Sequence, residues 1–347
     1  MKGRVVILGE LHGLEAAALM VDGQLEDLLV DASEAVALAP GAICRGRVER
    51  QMKGQGGVFV RLPGGEKGFL REVKGLAPGQ NVICQVTGGT EPGKALPVSL
   101  RLLFKSRYAI VTPGAPGLNV SRRIRDEEVR AGLQALAGVV MEGSDFGLIL
   151  RSAAEGAEEG EIVEDIAAMR EMAEAVIADL KGEPELLVDA PGPHEEAWRD
   201  WADPLPDEVV EGDFGDHGVL EAVDALLDPR VALAGGGHMM IEPTRALIAV
   251  DVNTGADTSP AASLKANIAA ARDLPRQLRL RGLGGQVVID FAPMPKKDRA
   301  VLEQQIRVAF KGEAAETSLA GWTPLGNFEL ARKRDRVTLA SLLEGRE

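Results

Sequence analysis

Two apolar runs in the last third of the chain carry an acid at or near their end: Ala249-Val250-Asp251-Val252-Asn253 and Val287-Val288-Ile289-Asp290-Phe291. Short, continuous apolar runs of this kind read as buried strands. Between them, Ser263 to Arg281 reads as a helix, with Leu264, Ile268, Ala271 and Leu278 on one face and Gly282 past its end. Pro275 inside that pattern predicts a kink. If the helix crosses over between parallel neighbours, Asp251 and Asp290 stand at the same edge of the sheet, where α/β sites are usually built. Two carboxylates and the Asn253 amide oxygen suit a hard cation that keeps several of its waters, which points to Mg²⁺, with Mn²⁺ as the other candidate. A cation held this way activates water and stabilises a phosphoryl transition state. The plainer alternative is that each Asp caps the loop that follows it or pairs with an arginine.

Other chemistry-bearing residues are less organised. His12, His194, His217 and His238 show no metal-ligand spacing. Gly235-Gly236-Gly237 and the cluster Gly282, Gly284, Gly285 are not phosphate loops, because no Gly-x-x-x-x-Gly-Lys-[Ser/Thr] occurs. A nucleotide-dependent phosphotransferase lacks its loop for the same reason. Phe59 and Phe69 are of a type that stacks bases, and equally of a type that fills a core. Arg122-Arg123 and Arg332-Lys333-Arg334 can hold phosphates or face solvent. Two cysteines, Cys44 and Cys84, make no disulfide framework, and no Cys-x-x-Cys is present for zinc.

The elements that must position these residues emerge along the chain. Its 347 residues suggest two or three domains at about 150 residues each. With 45% hydrophobic and 27% charged residues, disorder is excluded as the main state. No apolar run reaches the length of about 18 residues that a membrane span needs. The first ten residues hold too short an apolar core for a secretory signal, so a cytoplasmic enzyme or binding protein is expected. The net charge of −14 argues against a nucleic-acid partner when taken whole, but it is uneven. Residues 40–123 hold fourteen Lys/Arg against four Asp/Glu, and residues 124–225 six against twenty-eight. Either the first stretch carries a polyanion, or both are solubilising surface.

Residues 4–9 and 27–30 read as strands, Asp22-Gly23 as a hairpin turn and Asp31 to Pro40 as a connector. Five short strands, at 42–49, 57–62, 67–71, 81–87 and 96–104, are punctuated by Pro63-Gly64-Gly65, Pro78-Gly79 and Pro92-Gly93. They predict a small OB-type barrel. Residues 126–136 and 161–180 read as helices, the second with Ile162, Ile166, Met169, Ala173, Val176 and Leu180 on its apolar face. Residues 190–215 read as a loop or linker. Strands at 245–250 and 286–291, with the helix between and another at 298–310, imply an α/β domain.

These residues resemble the ribonuclease E/G family. Asp251-Val252-Asn253-Thr254, Arg276-Gln277-Leu278-Arg279-Leu280-Arg281, Gly284-Gly285 and Val288-Ile289-Asp290-Phe291 are similar to its catalytic region. Lys67-Gly68-Phe69-Leu70, Asn119-Val120-Ser121-Arg122-Arg123-Ile124 and Gly147-Leu148-Ile149-Leu150-Arg151 resemble other stretches of it, in the same order. The resemblance implies an endoribonuclease that prefers single-stranded RNA and acts in RNA processing or decay, with water held on Mg²⁺. It makes Asp251 and Asp290 the metal ligands, with Asn253 orienting Asp290 or the site around the metal. Phe59, Phe69 and Lys94 become RNA-binding positions of the barrel, with Arg122 and Arg123 as further RNA contacts. The implied architecture is an RNase H-like subdomain (residues 1–39, resumed with a linker at 191–235). It is interrupted by an OB-fold barrel (40–104) and a 5′-sensor-like subdomain (105–190). A DNase I-like α/β catalytic subdomain follows (236–347).

Three departures modify those expectations. Arg151-Ser152 match the family's Arg-Thr pair for a 5′-monophosphate, but its second Arg falls in Gly312-Glu313-Ala314-Ala315-Glu316, where a Glu would repel phosphate. Weak 5′-end sensing is expected. The family's Cys-Pro-x-Cys zinc link does not occur, so no zinc and no zinc-tied dimer are expected, and the chain is a monomer or weak dimer on this reading. The long scaffold tail of some members is also missing; a natural short form and a fragment of a longer protein both fit. The lost sensor Arg and strong acidity leave a second hypothesis, a non-catalytic RNA-binding relative acting on ribosomal or messenger RNA. Retention of Asp251, Asn253 and Asp290 favours the enzyme.

Overall fold

The computed structural model describes residues 2–52, 56–71, 75–90 and 93–346; Pro92, one of the expected turn residues, lies outside them. The described residues form a mixed α/β protein built on four sheets. It starts with an antiparallel meander of β1 (Arg4–Leu11), β2 (Leu14–Val21) and β3 (Gln24–Val30). Asp22 and Gly23 take positive φ, 50° and 83°, as a tight primed hairpin requires.

The next five strands, β4 (Ile43–Met52), β5 (Gly57–Arg61), β6 (Lys67–Arg71), β7 (Asn81–Val86) and β8 (Leu96–Ser99), fall on the five expected stretches. Their order is β4-β5-β6-β8-β7, and β7 pairs back onto β4, closing a five-stranded barrel. Alternate residues such as Val58, Val60, Leu70, Val82 and Val98 fill its interior, as expected for an OB-type barrel. Cys44 and Cys84 are register partners there, both as free thiols. Burial pushes them up to about 11 and about 12.

β9 (Phe104–Lys105), β10 (Ala109–Thr112), β11 (Leu118–Val120) and β12 (Gly147–Leu150) make a small mixed sheet packed with α1 (Glu127–Val140) and α2 (Glu159–Ala178). The Asp126 carboxylate caps α1 by accepting from the Glu128 and Val129 N–H groups. α2 buries Ile162, Ile166, Ala173 and Val176; Leu180 lies past its end and is exposed.

The expected linker at 190–215 is structured. After β13 (Glu185–Val188), which pairs with β4, come α3 (Pro193–Asp200) and β14 (Glu208–Glu211), parallel to β1. Its composition hides these elements for a physical reason. β14 is a four-residue edge strand with mostly exposed side chains, and α3 buries only Pro193 and Ala197. α3 packs on one face of the first sheet and α4 (Val219–Leu227) on the other.

The last third is a six-stranded sheet. β15 (Arg230–Ala232), β16 (His238–Pro243), β17 (Ile248–Asn253), β18 (Gly285–Asp290), β19 (Thr317–Trp322) and β20 (Phe328–Arg332) run in the order β15-β16-β17-β18-β20-β19. β17 and β18 are parallel, joined by α5 (Pro260–Leu280), and α6 (Arg299–Phe310) joins β18 to β19. α5 runs through Pro275 as one helix. Its buried stripe carries Ser263, Asn267, Ala270, Leu274 and Leu278, turned by about one residue from the expected face; Leu264 and Ile268 lie at the margin. A short α7 (Leu339–Leu342) docks on the first sheet.

Candidate active site

Side-chain alternation builds the site. Along β17, Ile248, Val250 and Val252 are buried beneath α5 and α6, and along β18 so are Val287 and Ile289. Asp251 and Asp290 therefore face the opposite, open side of the sheet. They are direct register partners across the parallel pair, near the C-terminal ends of both strands. Both are exposed. Among the described residues, neither carboxylate pairs with an arginine or caps a backbone N–H, so the plainer alternative for these two acids does not hold.

Asn253 ends β17 on the same face, and its Nδ2 donates to Asp251 Oδ2 at 2.7 Å. The amide thus steadies Asp251 and not Asp290, the neighbour named first by the resemblance. Asp251 is two residues away along one strand, within direct reach. The Gly237 backbone lies against this strand end: its φ is +110°, and a Cβ would come within 2.6 Å of the Asn253 carbonyl oxygen. Gly237 thus serves close packing beside the acids, whereas a Cβ on Gly235 or Gly236 would meet nothing within 4 Å.

The loop after β18 is pinned by a residue the sequence reading missed. Asn267, fully buried on α5, accepts from the Ala292 N–H at 2.9 Å and donates to the Ala292 carbonyl at 2.9 Å. This clamps the backbone two residues past Asp290. The available signal was a polar residue at helical spacing from Ser263, Ala270 and Leu274, on the buried stripe.

On the barrel, Phe59 and Phe69 are register partners on β5 and β6, ring centroids 5.3 Å apart and tilted by 55°. Both are half-buried on the outer face and take no part in the barrel core, because Val58, Val60 and Leu70 point inward. The same outer face carries Arg61, Lys67 and Arg71, all exposed. Lys94 stands exposed before β8, whose Pro97 is paired with Phe69. Aromatic faces rimmed by cations are the composition of a single-strand platform.

Arg122 is exposed; Arg123 reaches Asp203 at 3.0 Å. Arg151 is committed to the chain itself. Its Nη2 pairs with Asp200 Oδ1 at 2.5 Å, and its Nη1 donates to the carbonyls of Ser106 and Arg199 at 2.6 and 3.1 Å. Ser152 follows in a short 3₁₀ turn. Of the two Glu in segment 312–316, Glu313 has its carboxylate tied to Arg279 and Arg332. The residue that answers Arg151 is Asp200, from the segment expected to be linker.

Asp251 and Asp290, with the Asn253 amide beside them, fit a hard cation that retains waters. Among the described residues no group of three His, Cys, Asp or Glu side chains gathers to hold a metal, and two carboxylates are the whole charged donor set. No helix of the described residues is long and apolar enough to cross a membrane.

A closed barrel with a basic, aromatic outer face and an α/β sheet with paired acids at one edge define a mixed α/β protein with an OB-type barrel. The family model of the ribonuclease E/G family matches residues 104–216 and 209–335, and the chain belongs to that family. It is 29% identical over 394 aligned positions to ribonuclease E of Nostoc sp. (strain PCC 7120), covering 97% of this chain and 56% of that protein. It is 30% identical to ribonuclease E of Synechocystis sp. (strain PCC 6803), covering 97% and 58%. To ribonuclease G of Haemophilus influenzae it is 28% identical, covering 94% and 78%. The chain thus spans less than two thirds of the length of the two cyanobacterial relatives.

Proposed function

We propose that this chain is a metal-dependent endoribonuclease that cleaves single-stranded RNA in RNA processing or decay. One observation carries the reading: Asp251 and Asp290 are register partners on the open face of a parallel strand pair, and among the described residues no cation pairs with either. Adjacent strands lie about 4.8 Å apart, so the two carboxylates stand side by side within reach of one cation. Asp251 and Asp290 would hold a divalent cation, Mg²⁺ or Mn²⁺. When bound, that cation supplies Lewis acidity to the phosphodiester and a water of lowered pKa.

The chain's own residues do the rest. Asn253 fixes the Asp251 carboxylate through its 2.7 Å hydrogen bond. Phe59 and Phe69 offer their rings to unpaired bases, which selects single strands. Lys67, Arg71 and Lys94, with Arg122 on the neighbouring unit, attract the backbone phosphates. Under the same proposal the first sheet and its return strand β14 are the RNase H-like part and the barrel is the RNA-binding insertion. Residues 105–190 are a weakened end sensor, and 236–347 are the DNase I-like catalytic part.

The test is incubation of the chain with an A/U-rich single-stranded RNA and Mg²⁺, beside Asp251→Asn and Asp290→Asn. Internal cleavage by the parent and none by either variant is expected. Cleavage by all three would place the reaction elsewhere, and binding without cleavage by any would make the chain an RNA-binding protein without catalysis.

A further inference from the structure

The segment that follows Asp290 carries a cation that no described residue neutralises. Arg299 opens α6, and its guanidinium lies over the Trp322 ring, 4.5 Å from Cζ to the centroid. Among the described residues no carboxylate is within ion-pair distance of it, Asp298 beside it included. Its Nε and the Trp322 Nε1 are both buried without an acceptor, so two of the four orphaned buried side-chain groups of the described residues fall on this one stacked pair. Buried donors left unmet call for an explanation.

Trp322 also fixes the pair relative to the acids. It packs against Phe291, the residue after Asp290, with centroids 5.8 Å apart, and edge-on against Phe328 at 5.3 Å. Phe328 is in turn the register partner of Ile289. Asp290 and Arg299 thus share one edge of the sheet, the acid on its open face and the arginine with the aromatic cluster on the helix-covered face. Lys296 and Lys297, both exposed, precede Arg299 in the same loop, and the first turn of α6 holds no acid. Cations here oppose the helix dipole, which favours anions at a helix start. Asp298 stands at the N-cap of α6 without capping it, so three cations, one held flat by a ring, gather around a single acid, and the net positive charge fits an oxyanion ligand.

We infer that Arg299, with Lys296 and Lys297, holds a backbone phosphate of the RNA next to the Asp251–Asp290 pair, and so positions the strand for cleavage. This rests on the RNA-cleaving reading proposed above. Arg299 is a positioning residue and takes no part in bond breaking.

The experiment measures binding of a fluorescent single-stranded RNA with divalent ions chelated, across a salt series, and then kcat and KM in Mg²⁺. Each phosphate contact to a single strand contributes about 0.7 to the slope of log K against log salt. Arg299→Gln should weaken binding several-fold, lower the slope by about 0.7, raise KM and spare kcat. Arg299→Lys should restore the slope in part. Since Arg299 also packs beside the Gly326 turn, a fold-neutral variant is included: Lys296→Gln/Lys297→Gln, on exposed side chains, should lower the slope by about 1.4. Unchanged slope in the double variant and in any folded Arg299 variant overturns the inference alone. A parent chain that binds no RNA overturns it together with the reading it rests on, and binding without cleavage removes the catalytic reading while leaving the phosphate contact measurable.

Discussion

Arg151 and Asp200 form an ion pair, Nη2 to Oδ1 at 2.5 Å, joining the small mixed sheet to the end of α3. Burial pushes the Asp200 carboxyl up. The hydrogen bond and charge of Arg199, with Arg151 and Lys105, outweigh it and hold the group below the ordinary carboxylate range. Asp200 is therefore ionised at neutral pH and occupies Arg151 Nη2, a donor that a phosphate would need if Arg151 senses the 5′ end as proposed. Matched RNAs bearing a 5′-monophosphate or a 5′-hydroxyl should be cleaved at nearly equal rates. Asp200→Asn should release Arg151 and give the 5′-monophosphate an advantage of about tenfold or more, the effect of one charge-assisted hydrogen bond of about 1.5–3 kcal/mol. Rates on the two substrates, parent against variant, decide it; a large 5′-monophosphate gain in the parent would refute the plugged arrangement.

Asn253 acts through Asp251, so its loss should look different from loss of an acid. Asn253→Ala removes the 2.7 Å bond to Asp251 Oδ2 and leaves both carboxylates in place. Residues that orient a ligand typically cost about 10–100-fold in metal affinity or activity when removed. The expected result is a fall of that size in cleavage, partly recovered at high Mg²⁺, with RNA affinity in chelator unchanged. Full activity at limiting Mg²⁺ would leave the amide without a role.

The Phe59–Phe69 pair should support binding and not the fold. Both rings stand outside the barrel core. Phe59→Ala should weaken single-stranded RNA binding by about 1–3 kcal/mol, the range for one stacked base, with little change in the unfolding midpoint. Lys94→Ala should lower the salt slope by about 0.7. A Phe59→Ala protein that melts early, yet binds normally in its folded fraction, would return the ring to a structural role.

Much of this was legible in the sequence because period and punctuation are local signals. The five barrel strands announce themselves by turns such as Pro63-Gly64-Gly65, and the Asp251 and Asp290 runs by uninterrupted apolar residues beside one acid. The pairing of the two acids needed only the crossover helix between them. What stayed hidden depends on contacts distant in sequence. α3 and β14 lie in a stretch whose Pro, Gly and acidic residues read as linker, and β14 becomes a strand only because β1 offers it an edge. Phe59 and Phe69 could not be placed inside or outside the barrel until the register fixed which face Val58 and Val60 occupy. Asp200 lies 49 residues from Arg151, and no spacing rule connects them. Asn267 stayed hidden because the expected apolar face, through Leu264 and Ile268, is turned by about one residue from the buried stripe.

Acid stability should be set in part by Asp27. This carboxylate on β3 accepts from Arg336 Nη1 and Nη2 at 2.6 and 3.1 Å, from the Leu28 N–H at 2.9 Å and from Trp201 Nε1 at 3.3 Å. It thereby ties the first sheet to α3 and to the segment after β20. Burial pushes the group up, but the charge and hydrogen bond of Arg336, then Arg279 and the Leu28 N–H, bring it below the ordinary carboxylate value. A carboxylate with a depressed folded-state pKa stabilises the fold above its unfolded pKa, and that contribution is lost as pH falls through the folded value. Asp27→Asn leaves Arg336 without its nearest counter-charge. Removing one partner of a buried pair costs about 3–5 kcal/mol, and with Arg336 a quarter exposed the lower end of that range, about 3 kcal/mol, is expected at pH 7. Urea unfolding of parent and variant from pH 7 downward should show the gap constant until about pH 4, near the unfolded carboxylate pKa, and closing below it. A gap that persists undiminished well below that point would mean the Asn side chain disrupts packing, and that the Asp27 charge carries no stability of its own.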